Sequence, residues 1–157
     1  NTTYQIGGLA ITGKPEFLAD MAPTFSEYLN NTVGKKFGVN FETVPLDFDD
    51  IEGAVTNGTI DFLYSNPSSY SCKNSQHGVA AVVSIRKIRS GNELNSFGGV
   101  IITAAGRDDI QNGKVVEAVS ITGFGACQMQ WGLLLEEGVG FLTDTTAVRF
   151  AYNQNKV

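Results

Sequence analysis

"GTIDFLYSNPSSYSC", from Gly58 to Cys72, decides how this chain is read. Residues 60–64 have the make-up of a buried strand. The polar run Ser65-Asn66-Pro67-Ser68-Ser69-Tyr70 follows with no spacer. Pro67 suits the first turn of a helix, which makes Ser65 or Asn66 its N-cap. A strand that runs straight into a capped helix is a β/α junction, and in open α/β sheets ligands sit beyond the carboxyl ends of the strands. The backbone N–H groups of Ser68 and Ser69 are expected to point at a ligand there.

Upstream, the pattern is β-α-β-α. "TYQIGGLAI" (3–11) reads as the first strand, with Gly7 and Gly8 allowing close backbone approach. Phe17, Leu18, Met21, Phe25, Tyr28 and Leu29 recur at spacings of three and four, one face of a helix. Pro15 sits in its first turn, Pro23 kinks it or starts a second helix, and Gly34 stops it. "FGVNFETVPL" (37–46) alternates like a strand. "DFDDIEGAVTNG" (47–58) reads as a short helix with Asp47 as N-cap and Asn57-Gly58 as its stop. With the strand inside the opening stretch, the order β-α-β-α-β implies parallel strands joined by crossover helices.

Downstream, "GVAAVVSIRKI" (78–88) and "SFGGVIITAA" (96–105) are extended apolar runs around the hairpin-like "RSGNELNS". "GRDDIQNGK" (106–114) is a polar linker and "VVEAVSI" (115–121) a short strand. A second junction follows at Ser120-Ile121-Thr122-Gly123-Phe124-Gly125-Ala126, where hydroxyls and glycines again lead into a helix, with Met129, Leu133 and Leu134 inward. "FLTDTTAVRFAY" (141–152) begins another element. Helix N-termini carry unpaired N–H groups and partial positive charge, so both junctions suit an oxyanion. Capping alone also explains Ser, Thr and Asn at either one. Their pairing on separate β/α units suggests two half-sites facing one small anion.

Composition narrows the function classes. The chain has 157 residues with 11 Lys+Arg against 16 Asp+Glu, a net charge of −5. That acidic balance disfavours a nucleic-acid partner. No apolar run approaches the ~20 residues of a membrane span. One histidine and two distant cysteines show no metal-ligand spacing, and the acids 47, 49 and 50 read as a helix N-terminus. A Cys127–His77 hydrolase is disfavoured because His77 lies in the polar "KNSQHG" and reads as solvated. The lone Trp131 reads as packing. No cofactor motif is present; "GGLAITGKP" lacks phosphate-loop spacing. Sequons at Asn1, Asn30 and Asn57 read either as chance polar turns or as glycosylation acceptors of a secreted or surface protein.

The ordered set of motifs resembles the phosphonate/phosphate/phosphite-type substrate-binding proteins of ABC transporters. "GTIDFLYSNPSSY" is similar to their G-x-[IV]-D strand with its downstream P-x-x-Y. "GGLAITGKPEFLADMAPTFSEYLNNTVG" is similar to their opening strand, Pro-containing loop and helix. "FETVPLDFDDIEGAVTNG" and "GKVVEAVSITGFGACQMQWGLLLEEGV" follow in the same order. The resemblance implies a type 2 periplasmic-binding fold: α/β, two lobes with parallel-dominated sheets, residues 1–96 as lobe one and 97–157 as hinge and start of an incomplete lobe two. It implies ligand contacts at Ser65, Ser68, Ser69 and Tyr70, and at Ser120, Thr122, Gly123 and Phe124, with Thr12-Gly13-Lys14 near the same cleft. The family continues into a further strand and a return crossing, so this chain is expected to be a fragment.

The expectation is therefore a non-catalytic module holding a small oxyanion. It would serve membrane transporter subunits or form the ectodomain of a fused receptor, outside the cell or in the periplasm. A module that keeps the fold for structural or protein-interaction purposes, without a ligand, is the rival. Cys72 and Cys127 each follow one junction, and a bond between them would tie the lobes closed; none is expected.

Overall fold

The computed structural model describes residues 1–107 and 114–153. Residues 108–113 of the expected polar linker, and 154–157 of the terminal "NQNKV", lie outside the described residues. Strand β1 (Thr3–Leu9) is the centre of a three-stranded sheet, flanked by β2 (Asn40–Leu46) and β3 (Phe62–Tyr64). Both neighbours run parallel to it, with Gly8 opposite Pro45 on one side and Tyr64 on the other. Because side chains alternate along a strand, β1 feeds two cores. Ile6 and Ala10 pack with Phe17, Met21 and Phe25 on one face. Leu9 packs with Leu46, Ile51 and Ala54 on the other. Gly8 lets the first helix approach closely: a Cβ there would come within 2.1 Å of the Phe17 ring. The architecture is α/β with parallel-dominated sheets, as expected.

Helix α1 (Lys14–Ala22) does not break at Pro23. It continues through wide π turns, Pro23–Tyr28 and Asn30–Gly34, into α2 (Lys35–Phe37). Proline removes one i→i−4 bond and crowds the preceding turn, and a wider turn relieves both. Gly34 is therefore inside the helix, and the stop is Gly38, left-handed at φ 69°. The wider turns also move the apolar stripe beyond Pro23, though not at Leu18, which precedes them. Phe17, Met21 and Phe25 are buried as expected, whereas Leu18 and Tyr28 are exposed.

This helix seals the outer edge of β2. Asn30 donates through Nδ2 to the Phe41 carbonyl (3.0 Å) and accepts the Phe41 N–H through Oδ1 (2.6 Å). Ser26 Oγ accepts the Thr43 N–H (2.9 Å). Two residues on, Pro45 has no N–H to satisfy, which is why a proline is tolerated on this edge strand. The sequon at Asn30 thus has its Nδ2 engaged with the sheet edge, and a glycan there would break that pair. Asn1 and Asn57 are exposed.

The two remaining helices of this half place its chemistry. Helix α3 (Asp50–Thr56) starts two residues later than its acids suggested: Asp49, not Asp47, is its N-cap. Strand β3 is shorter and less buried than expected. Asp61, just before it, donates its N–H to the Gln5 carbonyl (2.9 Å) and accepts the Gln5 N–H on its carboxylate (2.7 Å), and Phe62 lies exposed on the sheet's edge. Helix α4 (Pro67–His77) begins at Asn66 and ends at the left-handed Gly78.

Beyond α4, residues 79–86 and 95–104 are extended without a strand partner among the described residues, and Val82, Val83, Val100 and Ile102 are exposed. An apolar run needs a ladder to become a strand, and the only pairing here is the hairpin of β4 (Lys87–Arg89) with β5 (Asn92–Leu94). Its turn, Ser90-Gly91, has positive φ at both residues, the turn whose twist matches paired strands. Strand β6 (Val115–Ala118) then pairs in parallel with β7 (Ala147–Phe150). The crossover is a π turn, Phe124–Gln128, running into α5 (Met129–Glu136). The π turn rotates the buried face, so Cys127, Trp131 and Leu134 pack against Ala118 and Phe141, while Met129 and Leu133 are exposed. Trp131 stacks on Phe141 at 5.4 Å, a packing role.

The edge seal yields a stability prediction. Asn30→Ala leaves the half-buried N–H and carbonyl of Phe41 without their partner and is expected to cost about 1–3 kcal/mol. Urea unfolding of the variant should show a lower midpoint at an unchanged slope. An unmoved midpoint would mean water replaces the side chain at no cost.

Candidate functional site

Both β/α junctions open onto one cleft. It is small, about 140 Å³, and its walls come from three places. Phe48, Ile51 and Glu52 come from α3 and the loop before it. Ser69, Cys72 and Lys73 come from α4, and Thr122 from the second junction. The two halves also touch beside it, where the Phe48 and Tyr152 rings lie 6.3 Å apart, each just past the end of a strand.

The first junction is built by Asn66. Its side chain accepts the Ser69 N–H (3.0 Å) and its carbonyl the Tyr70 N–H (3.0 Å). The expectation that Ser69 offers a free backbone donor is therefore corrected: the cap consumes it. Ser68, at the second helical position, has no intrahelical acceptor for its N–H. Ser68 and Ser69 are buried, Tyr70 half-buried. The Ser65 hydroxyl is fully buried and has no hydrogen-bond partner.

The second junction folds on itself. Gly123 donates its N–H to the Ser120 carbonyl (2.8 Å), and the Ser120 and Thr122 hydroxyls bond each other at 3.2 Å. Thr122 also donates its N–H to Ser120 Oγ (3.3 Å). Phe124 turns towards Phe97, edge to face at 6.1 Å. Of the eight expected contact residues, the cleft wall takes Ser69 and Thr122, one from each junction. Ser65, Ser68, Tyr70, Ser120, Gly123 and Phe124 are not part of that wall.

Charges around the cleft were not anticipated. Lys73 is buried, with a side chain 10% exposed, and its ammonium donates to Glu52 Oε2. The other oxygen of Glu52 meets His77 Nε2 at 2.8 Å. His77 is thus the last residue of α4 rather than a loop residue, exposed as expected but hydrogen-bonded to Glu52. Ser69, Lys73 and His77 are spaced at i, i+4 and i+8, one stripe of α4. That spacing was visible in the sequence; the partner helix that receives it was not. Lys14 is occupied elsewhere, bonding Asp50 at 2.8 Å and Asp47 at 3.1 Å. Its hydrogen bond holds the Asp50 carboxyl below the usual carboxylate range, and Asp50 in turn raises the Lys14 ammonium.

Both cysteines are free. Cys72 is exposed, whereas Cys127 is buried and its thiol is pushed up by desolvation. A buried thiol held protonated is the opposite of a nucleophile's setting.

Comparison with known proteins agrees with this layout. Residues 14–157 match the family model described as the periplasmic substrate-binding protein of a phosphonate ABC transporter. The chain belongs to this family. The family is a substrate-binding, non-enzymatic kind of module with a small-molecule ligand. A curated relative is the tetrathionate sensor histidine kinase TtrS of Salmonella typhimurium, 29% identical over 145 residues. The match covers 87% of this chain and 23% of the relative, so the chain spans about a quarter of that protein's length. No helix among the described residues is long and apolar enough to cross a membrane.

Two predictions follow from the site's charges and thiols. Because Asp50 is held low, its contribution to stability is full above the ordinary Asp range, near ~3.9, and is lost as pH falls through the lowered value. Asp50→Asn should therefore be less stable than wild type at pH 7, with the difference shrinking as pH falls through that lowered value, by urea unfolding. Both groups are about half exposed, so the difference should be small and shrink in high salt. Native iodoacetamide treatment should label Cys72 alone, and denaturation should add Cys127, read by intact mass. Native labelling of Cys127 would contradict its burial.

Proposed function

We propose that this module binds a small oxyanion in the cleft between the α4 start and the Ser120–Gly123 junction, as the sensing part of a receptor or as a transporter's solute-binding component. The observation that carries this reading is the shared wall: Ser69 and Thr122, from separate β/α units, line the same cleft. Parallel strands direct their carboxyl ends, with the helix starts beyond them, towards one side of each sheet, the usual place for a ligand. A cleft of this size suits an ion better than a drug-sized molecule, whose sites run from ~300 to ~1,000 Å³. Residues 1–96 form one lobe and residues 97–157 the hinge and start of the second in this reading.

The sensor kinase relative favours the receptor role, with the module outside the cytoplasm and its signal passing to a fused or partner protein. The tetrathionate in that relative's name widens the candidate anions from phosphate, phosphite and phosphonates to sulfur oxyanions. In this role neither nucleic acid nor a cofactor takes part.

Calorimetric titration with phosphate, phosphite, methylphosphonate, sulfate, thiosulfate and tetrathionate tests the reading. One of them should bind, and Thr122→Val and Ser69→Ala should each weaken it about tenfold or more, the loss of one charge-assisted hydrogen bond. A thermal shift should accompany binding, ~2.7 kcal/mol at 100 times the dissociation constant. Binding untouched by both variants would move the site elsewhere. No binding by any of the six anions would favour an interaction module without a ligand.

A further inference from the structure

Lys73 is a buried cation in the wall of an otherwise acidic protein's cleft, and Glu52 neutralises it. The two ends of this ion pair are unequal. The lysine side chain is 10% exposed and fixed in α4; the glutamate is 55% exposed, on the rim. A buried ammonium is costly without a counter-charge, whereas a rim carboxylate that swings into water loses little. Glu52 also has a second hold in His77, at 2.8 Å and away from Lys73.

We propose that Lys73 is a ligand-binding residue of this cleft and that Glu52 is its displaceable counter-ion. This rests on the oxyanion reading above. In the free protein, Glu52 occupies the ammonium that an anion needs. An entering oxyanion takes the Lys73 hydrogen bond, and the carboxylate moves aside while His77 keeps it. Glu52 then acts as an internal competitor. A weakly charged solute gains little by replacing a carboxylate, while a doubly charged oxyanion gains more, so the pair sets a threshold on ligand charge.

The test is calorimetric titration of the whole module with phosphate, phosphite, methylphosphonate, sulfate, thiosulfate and tetrathionate. Wild type, Glu52→Gln, Lys73→Met and the double variant are compared, with Thr122→Val alongside. Glu52→Gln removes the competitor and is expected to bind the recognised anion about tenfold tighter. Lys73→Met removes the cation and is expected to bind it at least tenfold more weakly, losing a hydrogen bond to a charged group. The double variant should follow Lys73→Met, because without the cation the competitor has nothing to block. A pair that only holds α3 to α4 would instead weaken binding in both single variants. Glu52, on the rim, keeps the test decisive even where Lys73→Met fails to fold. Unchanged or weaker binding by Glu52→Gln overturns the proposal. If Thr122→Val weakens binding while neither Lys73→Met nor Glu52→Gln changes it, the oxyanion site stands and this role for Lys73 falls. If wild type binds none of the six anions, both fall.

Discussion

Parallel pairing is the constraint from which the rest follows. Once β1 runs parallel to both β2 and β3, all three strands end on the same side of the sheet. Each connection must cross back as a helix, so each helix start returns to that side. The strand order β2-β1-β3 also reverses direction at β1, the arrangement that opens a crevice beyond the strand ends. β6 and β7 repeat the rule in the second sheet. The two sets of strand ends meet at Phe48 and Tyr152, and the cleft lies beside them. Its position is a topological consequence before it is a matter of side chains.

A sheet with only three strands leaves backbone groups unpaired on its edges, and the chain handles the two edges differently. On β2, the helix supplies Asn30 and Ser26 as substitute partners, and Pro45 removes a donor outright. On the other side β3 starts only at Phe62, and the Asp61 carboxylate takes the Gln5 N–H that the central strand turns towards it. The wide π turns have a place in this scheme. They begin at Pro23 and contain both Ser26 and Asn30, so the distortion that proline introduces lies where the helix must reach the sheet edge.

The sequence carried the order of elements well because its signals were local. Asn66-Pro67 marks a helix start by chemistry confined to one turn, and alternation in 37–46 marks a strand without reference to its neighbours. The misreadings share a different cause. Leu18, Tyr28, Met129 and Leu133 were assigned inward on a period of 3.6; Tyr28, Met129 and Leu133 lie in or beyond π turns that rotate the helix face, whereas Leu18 precedes them and is exposed on α1 itself. Phe62 was read as core because an apolar residue in a strand says nothing about whether that strand is an edge. The site was half legible for the same reason. Ser69 and Thr122 could be found from capping chemistry, but capping also spends donors: the Ser69 and Gly123 N–H groups serve the fold itself. Lys73 was hidden because its partner, Glu52, sits 21 residues away on another helix.

The charge balance bears on how such a cleft can work. A protein of net charge −5 repels anions at long range, so steering cannot raise their local concentration. In the proposed reading, recognition would then depend on short-range bonds made after the ligand has entered: the Ser69 and Thr122 hydroxyls and the Lys73 ammonium. Bonds of that kind are little screened by salt, unlike a field acting beyond the Debye length of ~8 Å. They also discriminate by shape, since each hydroxyl or N–H has a fixed direction. An acidic surface around a neutralised cation therefore trades speed of capture for selectivity, which suits a module that reports one solute against a background of other anions.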